Sequence, residues 1–346
     1  MPAPAVRRLS ELGPEERRRL LDRSLGAIFD PELWDAIRAL YADVGAQGDA
    51  AVCDALARFD GVELSPDELP VSEDELEAAA AGLDPALREA IDAMLASLRP
   101  LNEHVVSAAS WRLEDGHGAS VGERALPIAS AALYVPCGKG SFPSVMAHLG
   151  VPATVAGVPK IVVLCPPFPG RREVDPAVLY AAWALGLRHV VRVNGPAGIA
   201  AAALGTERIP RVAKIVGPGS PAVTVAQLLA QEHGVATNML QGPSESLILA
   251  DASADPELAA ADLLTEAEHG HDSAATLVTW SEPLAAAVAE AATRRLDRLP
   301  EPHRAHATSS LTRLGGILLV ADEDEAFAFA DEYAPEHLQL AVTDPE

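Results

Sequence analysis

Two short stretches carry the side chains best suited to chemistry. TEAEHGHDS (265–273) sets Glu266 and His269 three residues apart, so on a helix they share one face. Metalloproteins use that spacing for ligand pairs. The same stretch also has the pattern of a solvated acidic helix end, with His269 set against the helix dipole. In YAPEHLQL (333–340), Pro335 stops a helix, and Leu338 and Leu340 read as one face of a short strand. Glu336 and His337 then stand at a junction, where they can supply two bases of different pKa. Ser244, in QGPSES (241–246), lacks the G-x-S-x-G setting of a nucleophile, so it serves as a ligand contact or a turn cap.

Two glycine turns, VNGPAG (193–198) and VGPGS (216–220), each follow an apolar strand and precede a helix. Such turns let a phosphate approach a helix N-terminus. Neither completes G-x-G-x-x-G, and an ordinary strand-to-helix turn has the same spacing. CGKGS (137–141) lacks the order of a nucleoside-triphosphate loop.

The elements that must position these residues follow one plan. After helical patterns over 8–24, 31–59, 71–82 and 84–99 and an irregular polar stretch near 111–124, short apolar strands alternate with amphipathic helices from 128 to 340. Asp175 stands as the N-cap of one of those helices. This alternation predicts an α/β protein with parallel sheets, and the strand count predicts two related domains.

Composition narrows the partners. The formal charge of −24 repels nucleic acid and anionic membrane surfaces. The 3 cysteines, Cys53, Cys137 and Cys165, form no ligand spacing and fit a reducing compartment. With no apolar signal core at the N-terminus and no run of eighteen apolar residues, the expectation is a cytoplasmic protein.

Five motifs in order, LYVPCGKGSFPS, GTERIPRVAKIVGPGS, QGPSESLILAD, AADLLTEAEHGHDSAATLVT and YAPEHLQL, resemble histidinol dehydrogenase from about residue 25 onward. The resemblance implies two Rossmann-like domains, one inserted in the other. Residues 25–133 with 244–346 would form the first and 134–243 the inserted second, behind a helical N-terminal arm at 1–24. It implies a homodimer with a role in histidine biosynthesis. The activity implied is NAD-dependent oxidation of L-histidinol through the aldehyde to L-histidine, assisted by zinc. Carried over residue by residue, Glu336 activates water, His337 is the general base, and Ser244 contacts the substrate. His269 faces substrate and zinc, with Glu266 as the second metal ligand. Tyr134, Ala197 and Ser220 occupy the NAD-contact positions.

This chain departs from that pattern. Glu266, Ala197 and Ser220 stand where the family has glutamine, glutamine and asparagine, and Cys137 replaces a glycine. The chain given stops at Glu346, ahead of the Gly-Asp-Tyr segment and the helical region that carry the family's remaining aspartate and histidine ligands. His104, His117 and His148 are isolated and offer no substitute. Three readings follow: a histidinol dehydrogenase fragment or truncated chain completed by ligands from elsewhere, a shortened paralogue oxidising another alcohol or aldehyde with or without zinc, and an inactive binding or assembly partner.

Overall fold

The computed structural model describes residues 4–21, 26, 28–137, 140–238 and 242–345. Residues 22–24 of the expected arm, Gly138 and Lys139 of CGKGS, Gln241 of QGPSES and Glu346 lie outside the described residues. The chain forms two compact units, residues 1–26 with 242–346, and residues 27–241.

The N-terminal segment is not wholly helical. It opens with a strand, β1 (Val6–Arg8), before the expected helix α1 (Pro14–Leu21). Three residues bearing two arginines carry no strand periodicity of their own, and their extended state comes from pairing with a distant strand.

The continuous unit begins with α2 (Pro31–Gln47), α3 (Asp49–Ala55), a π-helical turn at Leu56–Asp60, α4 (Glu73–Gly82) and α5 (Pro85–Ala108). Strands β2 (Trp111–Glu114) and β3 (Ser120–Glu123) follow as an antiparallel hairpin. That pair replaces the irregular stretch expected there. Trp111-Arg112-Leu113-Glu114 does alternate apolar and charged residues, but the run is four residues long and all of it is exposed, so no buried face marks it as a strand. The unit continues through β4 (Ala131–Tyr134), α6 (Pro143–Val155), β5 (Ile161–Cys165), α7 (Pro176–Ala184), β6 (Val190–Arg192), α8 (Gly195–Leu204), β7 (Lys214–Val216) and α9 (Pro221–Glu232). Its four strands are parallel in the order β6-β5-β4-β7.

Residues 27–133 belong to this unit rather than to the C-terminal sheet as expected. Val71, Leu76 and Ile91 share a core with Leu133, Val163 and Val178. Val71 N–H donates to the Val190 carbonyl and Arg192 N–H to the Leu69 carbonyl, so the segment between helices rides on the β6 edge. Tyr41 Oη donates to the Ala226 carbonyl at 2.6 Å, fastening α2 to α9. Burial of those apolar faces decides the grouping.

The split unit contains β8 (Glu245–Ala250), α10 (Pro256–Ala267), β9 (Ala274–Thr279), α11 (Glu282–Leu296), α12 (His303–Arg313), β10 (Gly316–Leu319), α13 (Glu323–Tyr333) and β11 (His337–Ala341). Five parallel strands run in the order β1-β10-β9-β8-β11. One face, through Ile248, Ala250, Leu277 and Ile317, packs on α10, α11 and α12. The other, through Leu247, Leu249, Val278 and Leu318, packs on Phe329 and Tyr333 of α13. Local chemistry sets the helix starts. Asp175, Asp255 and Ser281 each accept N–H bonds from the first turn of the helix they precede, with proline at the opening positions. Among the described residues, no helix is long and apolar enough to cross a membrane.

Candidate functional site

The split unit gathers five of the eight expected site residues at one edge of its sheet. Ser246, near the start of β8, lies in register with His337, the first residue of β11. Ser244, two residues earlier, accepts the Ala274 N–H on its carbonyl at 3.0 Å, tying the entry of β8 to that of β9. α10 runs back from the end of β8 to the start of β9, so its last turn delivers Glu266 and His269 to the same N-terminal edge.

One side-chain bond sets the level. Gln339 Nε2 donates to Asp262 Oδ2 at 2.7 Å. From Asp262 to Glu266 is about one helical turn, roughly 6 Å. From Gln339 back to His337 is two strand residues, roughly 7 Å. Both steps run toward the strand starts on the same face, so His337 and Glu266 stand beside each other there.

Electrostatically the edge is unfinished. Glu266 Oε1 and Ser246 Oγ are buried without hydrogen-bond partners. Leaving each such atom unsatisfied costs about 1–3 kcal/mol. His269 Nδ1 lies 2.7 Å from the Thr265 carbonyl. A carbonyl can only accept, so Nδ1 carries the proton and Nε2 keeps a lone pair. An imidazole oriented by a backbone carbonyl is prepared as a metal ligand. Its Nδ1 is 3.9 Å from Glu266 Oε1, too far for a hydrogen bond. The pair offers a metal two candidate donors, the Nε2 of His269 and the Oε1 of Glu266. Among the described residues, no group of three or more His, Cys, Asp or Glu side chains is arranged to hold a metal. His337 Nε2 lies 3.9 Å from Glu336 Oε1, and both side chains are exposed.

The other three expected residues lie in the continuous unit. Tyr134 ends β4 and is buried, and burial holds its hydroxyl pKa above the ordinary value. A Cβ at Gly195 would meet Tyr134 Oη at 2.7 Å, and one at Gly217 would meet the Tyr134 carbonyl at 2.1 Å. Glycine at both places lets the turns after β6 and β7 close on β4. Ser220 is the exposed N-cap of α9, and its hydroxyl makes no capping bond. It is thus available beside a helix N-terminus suited to an anion. Ala197 is fully buried in the first turn of α8. Its methyl carries no polar group for a ligand.

Sequence reading missed Ser246, Asp262 and Gln339. Their spacing to the other residues exists only across strand register and helix packing. QGPSES did point at the right turn and ends on Ser246, although only Ser244 was singled out in it.

The family model described as histidinol dehydrogenase matches residues 27–346. The chain is 42% identical over 317 residues to histidinol dehydrogenase of Cereibacter sphaeroides, covering 91% of this chain and 71% of that protein. It is 36% identical to a histidinol dehydrogenase homolog of Colwellia psychrerythraea, covering 98% and 76% of the two chains. The crystal structure of histidinol dehydrogenase from Elizabethkingia anophelis superposes with a TM-score of 0.83 at 32% identity, over 96% of this chain and 75% of that one.

Proposed function

Because the chain belongs to the histidinol dehydrogenase family, we propose that it oxidises an amino alcohol, L-histidinol, to the carboxylate L-histidine with two NAD in succession. The observation that carries this reading is the juxtaposition of Ser244, Ser246, Glu266, His269 and His337 at one sheet edge, with two buried polar atoms awaiting partners.

In this reading His337 accepts the hydroxyl proton as hydride leaves the alcohol carbon for the nicotinamide. Glu336 accepts a proton from water as that water adds to the aldehyde. His337 then accepts the hydrate proton in the second hydride transfer. One alcohol, one water and two NAD give one carboxylate, two NADH and three protons. The Glu336 and His337 side chains are exposed, which lets them exchange protons with solvent between turnovers. Ser244 and Ser246 offer hydroxyls to the substrate's polar groups, and His269 and Glu266 would hold zinc. Zinc, when bound, would grip and orient the substrate's imidazole and amine. On the continuous unit, Tyr134 and Ser220 would meet the dinucleotide.

We further propose a homodimer and a cytoplasmic location, with no nucleic-acid or membrane partner. Trp111, Leu113 and Val121 of the β2–β3 hairpin are exposed, as are Leu101 and Val105 of α5. A two-stranded hairpin exposed on both faces is marginal alone, and apolar clusters of this kind favour a protein partner.

A second reading, a paralogue acting on a different alcohol or aldehyde, is favoured by the carboxylate at Glu266 and the buried methyl at Ala197. One experiment separates them. Purified protein is mixed with L-histidinol and NAD, with and without zinc, and NADH absorbance is followed beside a panel of other alcohols. Zinc-dependent NADH release from histidinol supports the first. Turnover confined to another alcohol supports the second, and no turnover with any alcohol overturns both.

A further inference from the structure

The strand order β6-β5-β4-β7 puts the first strand of this sheet inside, the second and third on one side, and the fourth on the other. That is the order of a dinucleotide-binding half, in which the cofactor lies across the C-terminal strand ends. In such folds an acid near the end of the second strand accepts bonds from a ribose hydroxyl. Here the second strand is β5, and the residues that follow it, Pro166-Pro167-Phe168-Pro169-Gly170, contain no acid. The next one, Glu173, is exposed on the far side of a turn closed by Phe168 N–H donating to its carbonyl.

Asp60 reaches this place from elsewhere in the chain. Its carbonyl accepts the Gly170 N–H at 2.9 Å, just past β5. Its Oδ2 accepts from Asn194 Nδ2 at 2.8 Å, just past β6. Asn194 caps α8 without using its side chain on the helix and directly precedes Gly195, which Tyr134 Oη nearly touches. Asp60 is thus pinned at two adjacent strand ends, within electrostatic reach of Tyr134. Burial raises its carboxyl pKa, and the Asn194 bond opposes that rise. No catalytic step above uses it.

We infer that Asp60 is the carboxylate that receives a ribose hydroxyl of the dinucleotide and turns away a 2′-phosphate, making the protein selective for NAD over NADP. This rests on the dinucleotide reading above. The Asn194 amide occupies one oxygen and leaves the other for the sugar. A phosphate dianion set against the carboxylate would be repelled.

The test is titration of NAD and of NADP by calorimetry into the full chain, wild type and Asp60→Asn. The asparagine oxygen can still accept from Asn194, so the variant keeps the anchor and loses the charge. Wild type should bind NAD well ahead of NADP, and Asp60→Asn should narrow the ratio by about tenfold or more, the scale of one charge-assisted bond. A structural role alone would weaken both dinucleotides equally. An unchanged ratio, or a wild type indifferent to the 2′-phosphate, overturns the inference while leaving dinucleotide binding intact. A wild type that binds neither overturns the dinucleotide reading itself. A melting curve matching wild type certifies that the variant is folded.

Discussion

Glu75 serves two elements with its two carboxylate oxygens. Oε2 closes the capping box of α4 by accepting from Ser72 N–H and Oγ, and Oε1 accepts from the buried Arg192 guanidinium at the end of β6. Arg192 also donates to the carbonyls of Glu68, Pro70 and Arg172. The guanidinium is therefore the clasp between the helical segment and the sheet edge. Arg192→Ala strands three carbonyls and releases a carboxylate. It should cost about 2–4 kcal/mol of stability, because the three carbonyls lose their donor while the half-exposed Glu75 returns to water. Chemical denaturation measures it, and a loss below about 1 kcal/mol would refute the clasp.

His337→Ala removes the proposed base. Because the side chain is exposed, the melting temperature should hold. Turnover should fall about 10²–10⁴-fold, the contribution of a positioned base. Unchanged NADH production would sink the assignment.

Gln339→Leu cuts the bond that aligns β11 with α10. It touches neither reacting group, so substrate affinity should change little while kcat falls about tenfold, as expected when a base is slightly misplaced. The outcome that counts against it is a wild-type kcat with the Asp262 bond gone.

Glu266→Ala removes one of the two proposed zinc ligands and a buried oxygen that has no hydrogen-bond partner. Metal retention in a chelator competition should drop at least about tenfold. Stability without metal should not fall, since the lost carboxylate oxygen had no partner. Equal zinc retention in both proteins would show that the pair does not hold the ion.

Asp251 fastens the end of β8 to the residues after β11. It accepts from Ser253 Oγ and N–H and from Thr343 N–H and Oγ1. The Ser253 hydroxyl bond, followed by the Thr343 N–H, holds its carboxyl far below the ordinary value. A depressed folded pKa contributes stability that is fully present above the unfolded value, about 3.9. That contribution is lost as pH falls further toward the folded value. Asp251→Asn should therefore lower stability at neutral pH and flatten its decline below about pH 4. Hydrogen exchange of the β11 amides across that range provides the measurement, and parallel curves for the two proteins would disprove the link.

Much of this was legible from local pattern. The strand at Ile161–Cys165, the Asp175 cap and the helix stop before Pro335 each follow from a few neighbouring residues. Glu266, His269, Glu336 and His337 were singled out as candidates the same way. What escaped depends on distant partners. Val6–Arg8 is a strand because Ile317–Leu319 is beside it. Residues 71–91 join the continuous unit because their apolar face meets Val163 and Val178. Asp60 acquires meaning only through Asn194, and Ser246 only through the register with His337.

The pairing of Val6 with Ile317 also sets a schedule for synthesis. Residues 27–241 emerge as one uninterrupted stretch and can collapse while translation continues. The first strand of the five-stranded sheet leaves the ribosome early, yet its neighbour is made some three hundred residues later. Until then Val6–Arg8 has no edge to join. Completion of that sheet, and of the edge bearing His337, waits until residues 316–341 have been made, and it is slowed by contacts some three hundred residues apart.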